Sequence, residues 1–172
     1  FIFFGDYKAS LIVGSSIPVS ILASLILMQL MGFSLNVITL SALVLGVGMM
    51  VDNSTVVLES CFRATDDTGF REFSKAALNG TGVVYQSVIG STLTTCVVFL
   101  PLAMLGGMTG MMFRPLGFTI VFCMTASLIS AITVVPLCYM IYKPIEKKTA
   151  PLSRPVEKMQ EAYRTIMRSL LK

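Results

Sequence analysis

Acidic and basic side chains are missing from three long stretches of this chain, and that gap constrains the fold more than any other feature. No Asp, Glu, Lys or Arg occurs from Ala9 to Val51, from Ala76 to Phe113, or from Pro115 to Tyr142. A helix that crosses a bilayer needs about 20 mostly apolar residues, so the first two stretches are each long enough for about two spans and the third for one. Charged residues make up 13% of the chain and apolar ones 55%, against about 25% and 45–50% in an ordinary soluble domain. A soluble all-helical core would carry a polar stripe along most of its helices. The pattern therefore predicts an all-α fold, a polytopic membrane helix bundle.

Turn signals divide the runs into four spans, near 11–31, 36–59, 78–105 and 116–142. The first ends at Gly32-Phe33-Ser34 and the third at Leu105-Gly106-Gly107. The opening Phe1-Ile2-Phe3-Phe4 is too short to span and has no basic n-region or cleavage site, so it is not a signal peptide. It reads as the end of a helix begun upstream in a longer protein. The expected organisation is residues 1–8 as the end of that helix and a cytoplasmic turn, 9–142 as four transmembrane helices, and 143–172 as a cytoplasmic linker and amphipathic helix.

Basic residues cluster at Lys8, in the Arg63–Lys75 loop and in the tail, whereas the Gly32 turn is uncharged and the Gly106 turn has only Arg114. The positive-inside rule then places both ends of the segment in the cytoplasm. In the tail, Val156, Met159, Tyr163, Ile166, Met167 and Leu170 follow helical spacing, with Lys158, Arg164, Arg168 and Lys172 between them. A basic amphipathic helix of this kind lies in the headgroup region of a membrane or packs on a cytoplasmic partner.

Several function classes drop out. The net charge of +4 belongs to short loops and a tail rather than to a folded basic patch with stacking aromatics, so nucleic acid is not the expected partner. Cys61, Cys96, Cys123 and Cys138 have no CxxC spacing and the chain has no His, which excludes an ordinary zinc site. The cysteines read as small apolar filler. No nucleophile elbow is present, and Gly106-Gly107 lacks the Lys-Ser/Thr of a phosphate loop. The chain is not expected to be an enzyme or to carry a cofactor.

Small residues recur at four-residue spacing: Ser16, Ser20 and Ser24 in the first span, Ser87, Ser91 and Thr95 in the third, Ser127 and Ala131 in the fourth. Such faces let helix backbones approach closely in lipid, and packing is their expected role. Pro18, Pro101 and Pro136 fall within or near spans, where membrane helices tolerate them.

Asp52 stands out. It lies in the apolar run 43–58, near the middle of the second span. An acid at a bilayer centre costs about 2.5–3.5 kcal/mol on insertion scales, and no basic residue lies within two turns of it on that helix. Desolvation favours the neutral acid and a nearby Lys or Arg the carboxylate. Asp52 must be protonated, paired with a basic group elsewhere, or exposed to a water-filled cavity, and an acid balanced between these states is a usable proton site. Gly48 shares its face at i−4, and Gly46 and Gly48 thin the helix beside it for a neighbouring helix or water. Asn53 can donate and accept hydrogen bonds but cannot titrate. It serves either a relay or helix–helix adhesion. Glu59 reads as an interfacial charge.

The run Gly48-Met49-Met50-Val51-Asp52-Asn53-Ser54-Thr55-Val56-Val57-Leu58-Glu59 resembles the fourth transmembrane helix of the resistance–nodulation–division (RND) transporters, the proton-driven drug and metal efflux pumps of bacteria. Gly32-Phe33-Ser34-Leu35-Asn36 is similar to the turn before that helix. The run Phe99 to Gly110 is similar to the following outward turn, and Pro136-Leu137-Cys138 to the end of the sixth helix. The resemblance covers nearly the whole chain. It implies an excerpt of the N-terminal membrane half, from the end of helix two through helix six, in a bacterial inner membrane. In the family, acids on the fourth helix exchange protons with a Lys on the tenth. Many members have two adjacent acids, where this chain has Asp52 followed by Asn53.

By that resemblance the segment supplies part of the proton relay for export of drugs or other small molecules. Its partners are membrane lipid, a second helical half with a basic relay residue, and extracytoplasmic domains, in a homotrimer. A reading from another class remains: a helical scaffold, or a lipid- or sterol-sensing module, without proton flux.

Overall fold

The computed structural model describes residues 6–68 and 72–144. The opening apolar stub and the basic amphipathic tail of the sequence analysis lie outside the described residues. The rest folds into helices α1 (Tyr7–Leu30), α2 (Val37–Thr68), α3 (Phe73–Ala103) and α4 (Gly107–Tyr142). All four are long and apolar enough to cross a membrane. Among the described residues there is no strand.

Local chemistry sets the helix starts. The Asp6 carboxylate accepts a hydrogen bond from the Lys8 amide at 3.1 Å and caps α1, which therefore begins at Tyr7, inside the stretch expected to be a turn. At the start of α2, the Asn36 side-chain carbonyl accepts from the Thr39 amide at 2.9 Å, while the Thr39 hydroxyl oxygen accepts from the Asn36 amide at 2.8 Å. This reciprocal pair satisfies two amides that the first helical turn would leave unpaired.

The helices outrun the apolar runs that announced them. α2 continues past Glu59 to Thr68, and α3 begins at Phe73 rather than near 78. Water satisfies backbone groups beyond the hydrocarbon, and i,i+4 and i,i+3 charge pairs fit an exposed helix surface. Arg63 donates to Glu59, and Lys75 pairs with Glu72 at 2.6 Å. α4 begins at Gly107, so Pro115 lies inside it and not in the preceding turn.

α2 and α4 form the centre. Gly46 meets Cys123, Met50 meets Ser127 and Phe62 meets Tyr139, so the two helices run parallel and in register. α1 and α3 pack on this pair from different sides and do not touch each other. The buried apolar residues fall into two clusters. One, toward the Lys75 end, includes Ile12, Val57, Leu58, Phe62, Val135 and Tyr139. The other, toward the Gly32 end, includes Ala42, Leu43, Met50, Ile120 and Met124.

Glycine permits close approach between helices at three places among the described residues, one of them Gly117 of α4, whose Cβ would stand 2.6 Å from the Ala103 amide nitrogen of α3. A Cβ on Gly80 would stand 2.7 Å from Cys61 Cα and 2.8 Å from Ser60 O, and one on Gly46 would stand 2.9 Å from Cys123 Cβ. The serine face of α1 is buried at Ser16, Ser20 and Ser24, and that of α4 at Ser127 and Ala131. On α3 the face expected to pack does not pack within these four helices. Ser87 and Ser91 are exposed and Thr95 half-exposed, while Gly80, Val88 and Thr92 face the bundle. An apolar helix with small residues on several sides does not reveal from sequence which side meets a neighbour.

Candidate functional site

Asp52 sits on the outside of the four-helix bundle. It is exposed, and it shares an open strip of α2 with Val44, Gly48, Val56, Glu59 and Arg63. Among the described residues no side chain makes a hydrogen bond or ion pair to its carboxylate. The placement follows from helix geometry. Met50 and Ser54, two positions either side, point almost opposite to Asp52 at 100° per residue, and both are buried.

The two glycines separate. Gly46 faces α4 and admits Cys123, whereas a Cβ on Gly48 would meet nothing within 4 Å. Gly48 therefore borders Asp52 on the open face, and Gly46 belongs to the α2–α4 seam.

Asn53 and Ser54 turn inward. The Asn53 amide nitrogen donates to the Thr92 hydroxyl of α3 at 3.2 Å and to the Ser127 hydroxyl of α4 at 3.4 Å. Ser127 donates in turn to the Met50 carbonyl at 3.4 Å. Ser54 and Ser16 of α1 share a hydroxyl–hydroxyl bond of 2.8 Å, and Ser130 of α4 donates to the Ser16 carbonyl at 3.5 Å. These side chains form a polar layer across all four helices, between the two apolar clusters. Asn53, Ser54, Thr92, Ser127, Ser130 and Ser16 are each at most 8% exposed. Sequence reasoning did not single out Thr92 or Ser54. The signal was Asn53 itself, because a carboxamide in an apolar span needs partners on neighbouring helices.

Below Asp52, toward the Lys75 end, an open groove of about 480 Å³ runs between α2 and α3. Glu59, Arg63, Asn79 and Val83 line it. Glu59 and Arg63 pair with each other at the groove and stay exposed. Among the described residues no group of His, Cys, Asp or Glu could hold a metal ion.

The family described as AcrB/AcrD/AcrF matches residues 1–172. The chain belongs to this family, which is of the RND type. It is 39% identical over 146 residues to the swarming motility protein SwrC of Bacillus subtilis, a match covering 83% of this chain and 14% of that protein. It is 34% identical over 176 residues to the multidrug resistance protein MdtC of Salmonella arizonae, covering 99% of this chain and 17% of that protein. MdtC of Salmonella newport matches over the same shares. The chain thus spans about one sixth of the length of the curated relatives it matches. It is an RND-type membrane segment with four helices able to span, part of a multi-pass membrane protein.

Proposed function

We propose that this segment is the proton-handling part of the N-terminal membrane half of an RND-type exporter, and that Asp52 is the group that takes up and releases protons. The observation that carries the reading is the direction of Asp52. An acid in the apolar middle of α2 points away from α1, α3 and α4, while its neighbours Asn53 and Ser54 are tied inside. A carboxylate there meets its counter-charge on elements other than these four helices, or in water. A second helical half with a basic side chain at the same depth would meet that need.

In this reading a proton on Asp52 removes the charge, and with it the attraction to the basic partner. Its release restores both. The packing of the second half against the open face of α2 then depends on the proton, and that dependence drives movement in extracytoplasmic domains that hold the substrate. Asn53 supports the acid without titrating, and Gly48 leaves the open face accessible.

MdtC is named for multidrug resistance, which favours drugs or similar small molecules as cargo. The assembly is a homotrimer in a bacterial inner membrane, with both ends of the segment in the cytoplasm. The test is Asp52→Asn in the full-length transporter, with efflux and proton flux measured in the same vesicles. Loss of both is expected; unchanged coupling refutes the reading.

A further inference from the structure

The polar layer lies at one level of α2, next to the acid. Asn53 follows Asp52 directly, reaches α3 and α4 through one amide nitrogen, and is 8% exposed. Apolar side chains pack above and below it. Those contacts hold the helices together and in register, and the polar layer adds a constraint of direction at the level of Asp52. Hydrogen bonds are directional and weaken steeply below about 120°. Together with the glycine contacts and the packed core, the layer therefore helps fix the rotation of α2 at the level where Asp52 projects.

We propose that Asn53 is a positioning residue for Asp52, holding the α2 backbone in one rotation through the hydroxyls of Thr92 and Ser127, and that it carries no proton itself. The proposal rests on the reading of Asp52 as the proton site. A rotation of α2 by one residue's worth, about 100°, would carry Asp52 off the open face. A smaller turn would change its distance to any facing charge. Few other charges compete. Glu59 and Arg63 share the open face, about 10 and 16 Å along the axis. α1 and α3 carry no Asp, Glu, Lys or Arg from Ala9 to Leu30 or from Ala76 to Ala103. On those faces Tyr85 and Cys96 are the titratable side chains of α3, with Cys123, Cys138, Tyr139 and Tyr142 on α4. Arg114 lies about 20 Å along α4 from Ser127.

The test uses the full-length transporter in membrane vesicles. Dicyclohexylcarbodiimide modifies protonated carboxyl groups in apolar surroundings, and its attachment to Asp52 is followed by mass spectrometry across pH. Asn53→Ala and Thr92→Val should each move the midpoint of labelling by at least about half a pH unit, a threefold change in proton affinity. Thr92→Ser keeps the hydroxyl and should leave the midpoint in place. Tyr139→Phe removes a buried α2–α4 hydrogen bond to Thr65, about 20 Å along α2 from Asp52. It should lower thermal stability without moving the midpoint. Unmoved midpoints in Asn53→Ala and Thr92→Val overturn the proposal, as does an equal shift in Thr92→Ser or Tyr139→Phe. Labelling of the unaltered transporter that does not vary with pH removes the proton reading, and this proposal with it.

Discussion

Replacing Gly80 by alanine adds a methyl group where α3 rests on the backbone of α2. The new carbon would stand 2.7 Å from Cys61 Cα, 2.8 Å from Cys61 N and 2.8 Å from Ser60 O. Carbon atoms pack best at about 3.5–4.0 Å, so the helices must part by about 1 Å. No rotamer relieves the overlap, because the opposing atoms are main chain. Parting by that distance also stretches the Ser60 hydroxyl bond to the Gly80 carbonyl, now 2.8 Å, beyond hydrogen-bonding range. Overpacking of this kind costs about 1–3 kcal/mol, and an interhelical hydrogen bond in a membrane protein averages about 0.6 kcal/mol. Alanine recovers about 0.5–1 kcal/mol in a helix interior. The net expectation is a loss of about 2 kcal/mol. Gly82, two residues along, has nothing within 4 Å of its would-be Cβ, and Gly82→Ala keeps the propensity gain without the clash. The assay is the thermal midpoint of the purified full-length transporter in detergent, read as loss of the monodisperse peak in size-exclusion chromatography. Gly80→Ala should melt below the unaltered protein and Gly82→Ala should not. A Gly80→Ala midpoint equal to that of Gly82→Ala refutes the close approach of α3 to α2.

Three further outcomes are expected. Tyr139→Ala removes a fully buried ring that meets Phe62 edge-on at 5.5 Å and Phe73 at 6.0 Å, and should cost about 3–5 kcal/mol in the same assay. Tyr139→Phe keeps the ring and loses the 2.6 Å bond to Thr65, and a smaller loss is expected, about 0.6 kcal/mol for that bond. Arg63→Ala breaks an i,i+4 pair whose side chains are 78% and 50% exposed, and the midpoint should fall by no more than an exposed pair's worth, about 0.3–0.5 kcal/mol.

The number of spans could be read from the sequence because the bilayer penalises charge so heavily that charge-free runs mark the helices. Their ends could not. Beyond the hydrocarbon a helix persists or stops according to caps such as Asp6 and Asn36 and pairs such as Glu59–Arg63, and hydropathy does not register those. Asp52 stood out for the same reason that the spans did. Its direction did not, because α1, α3 and α4 are apolar on nearly every side and α2 is only weakly two-faced. No polar stripe tells outside from inside, and the exposed Ser87 and Ser91 are the plainest case. Asn53 was recognised as a hydrogen-bonding residue, but its partners Thr92 and Ser127 lie on other helices. Only the register between helices brings them together, and that is set by the glycine contacts and the packing of the whole core.

Those glycine contacts have a use of their own. Two of the close approaches set a glycine against a cysteine, Gly46 on Cys123 and Gly80 on Cys61, and both thiols are 0% exposed. Cys96 and Cys138 are only partly covered. An alkylating reagent small enough to enter the bilayer would reach Cys61 when α2 and α3 part, and Cys123 when α2 and α4 part. The chain thus carries native footprinting probes at two of its tight seams, with two partly open thiols as internal references. Alkylation rates in the intact protein would report which seam opens during turnover without the introduction of a single label.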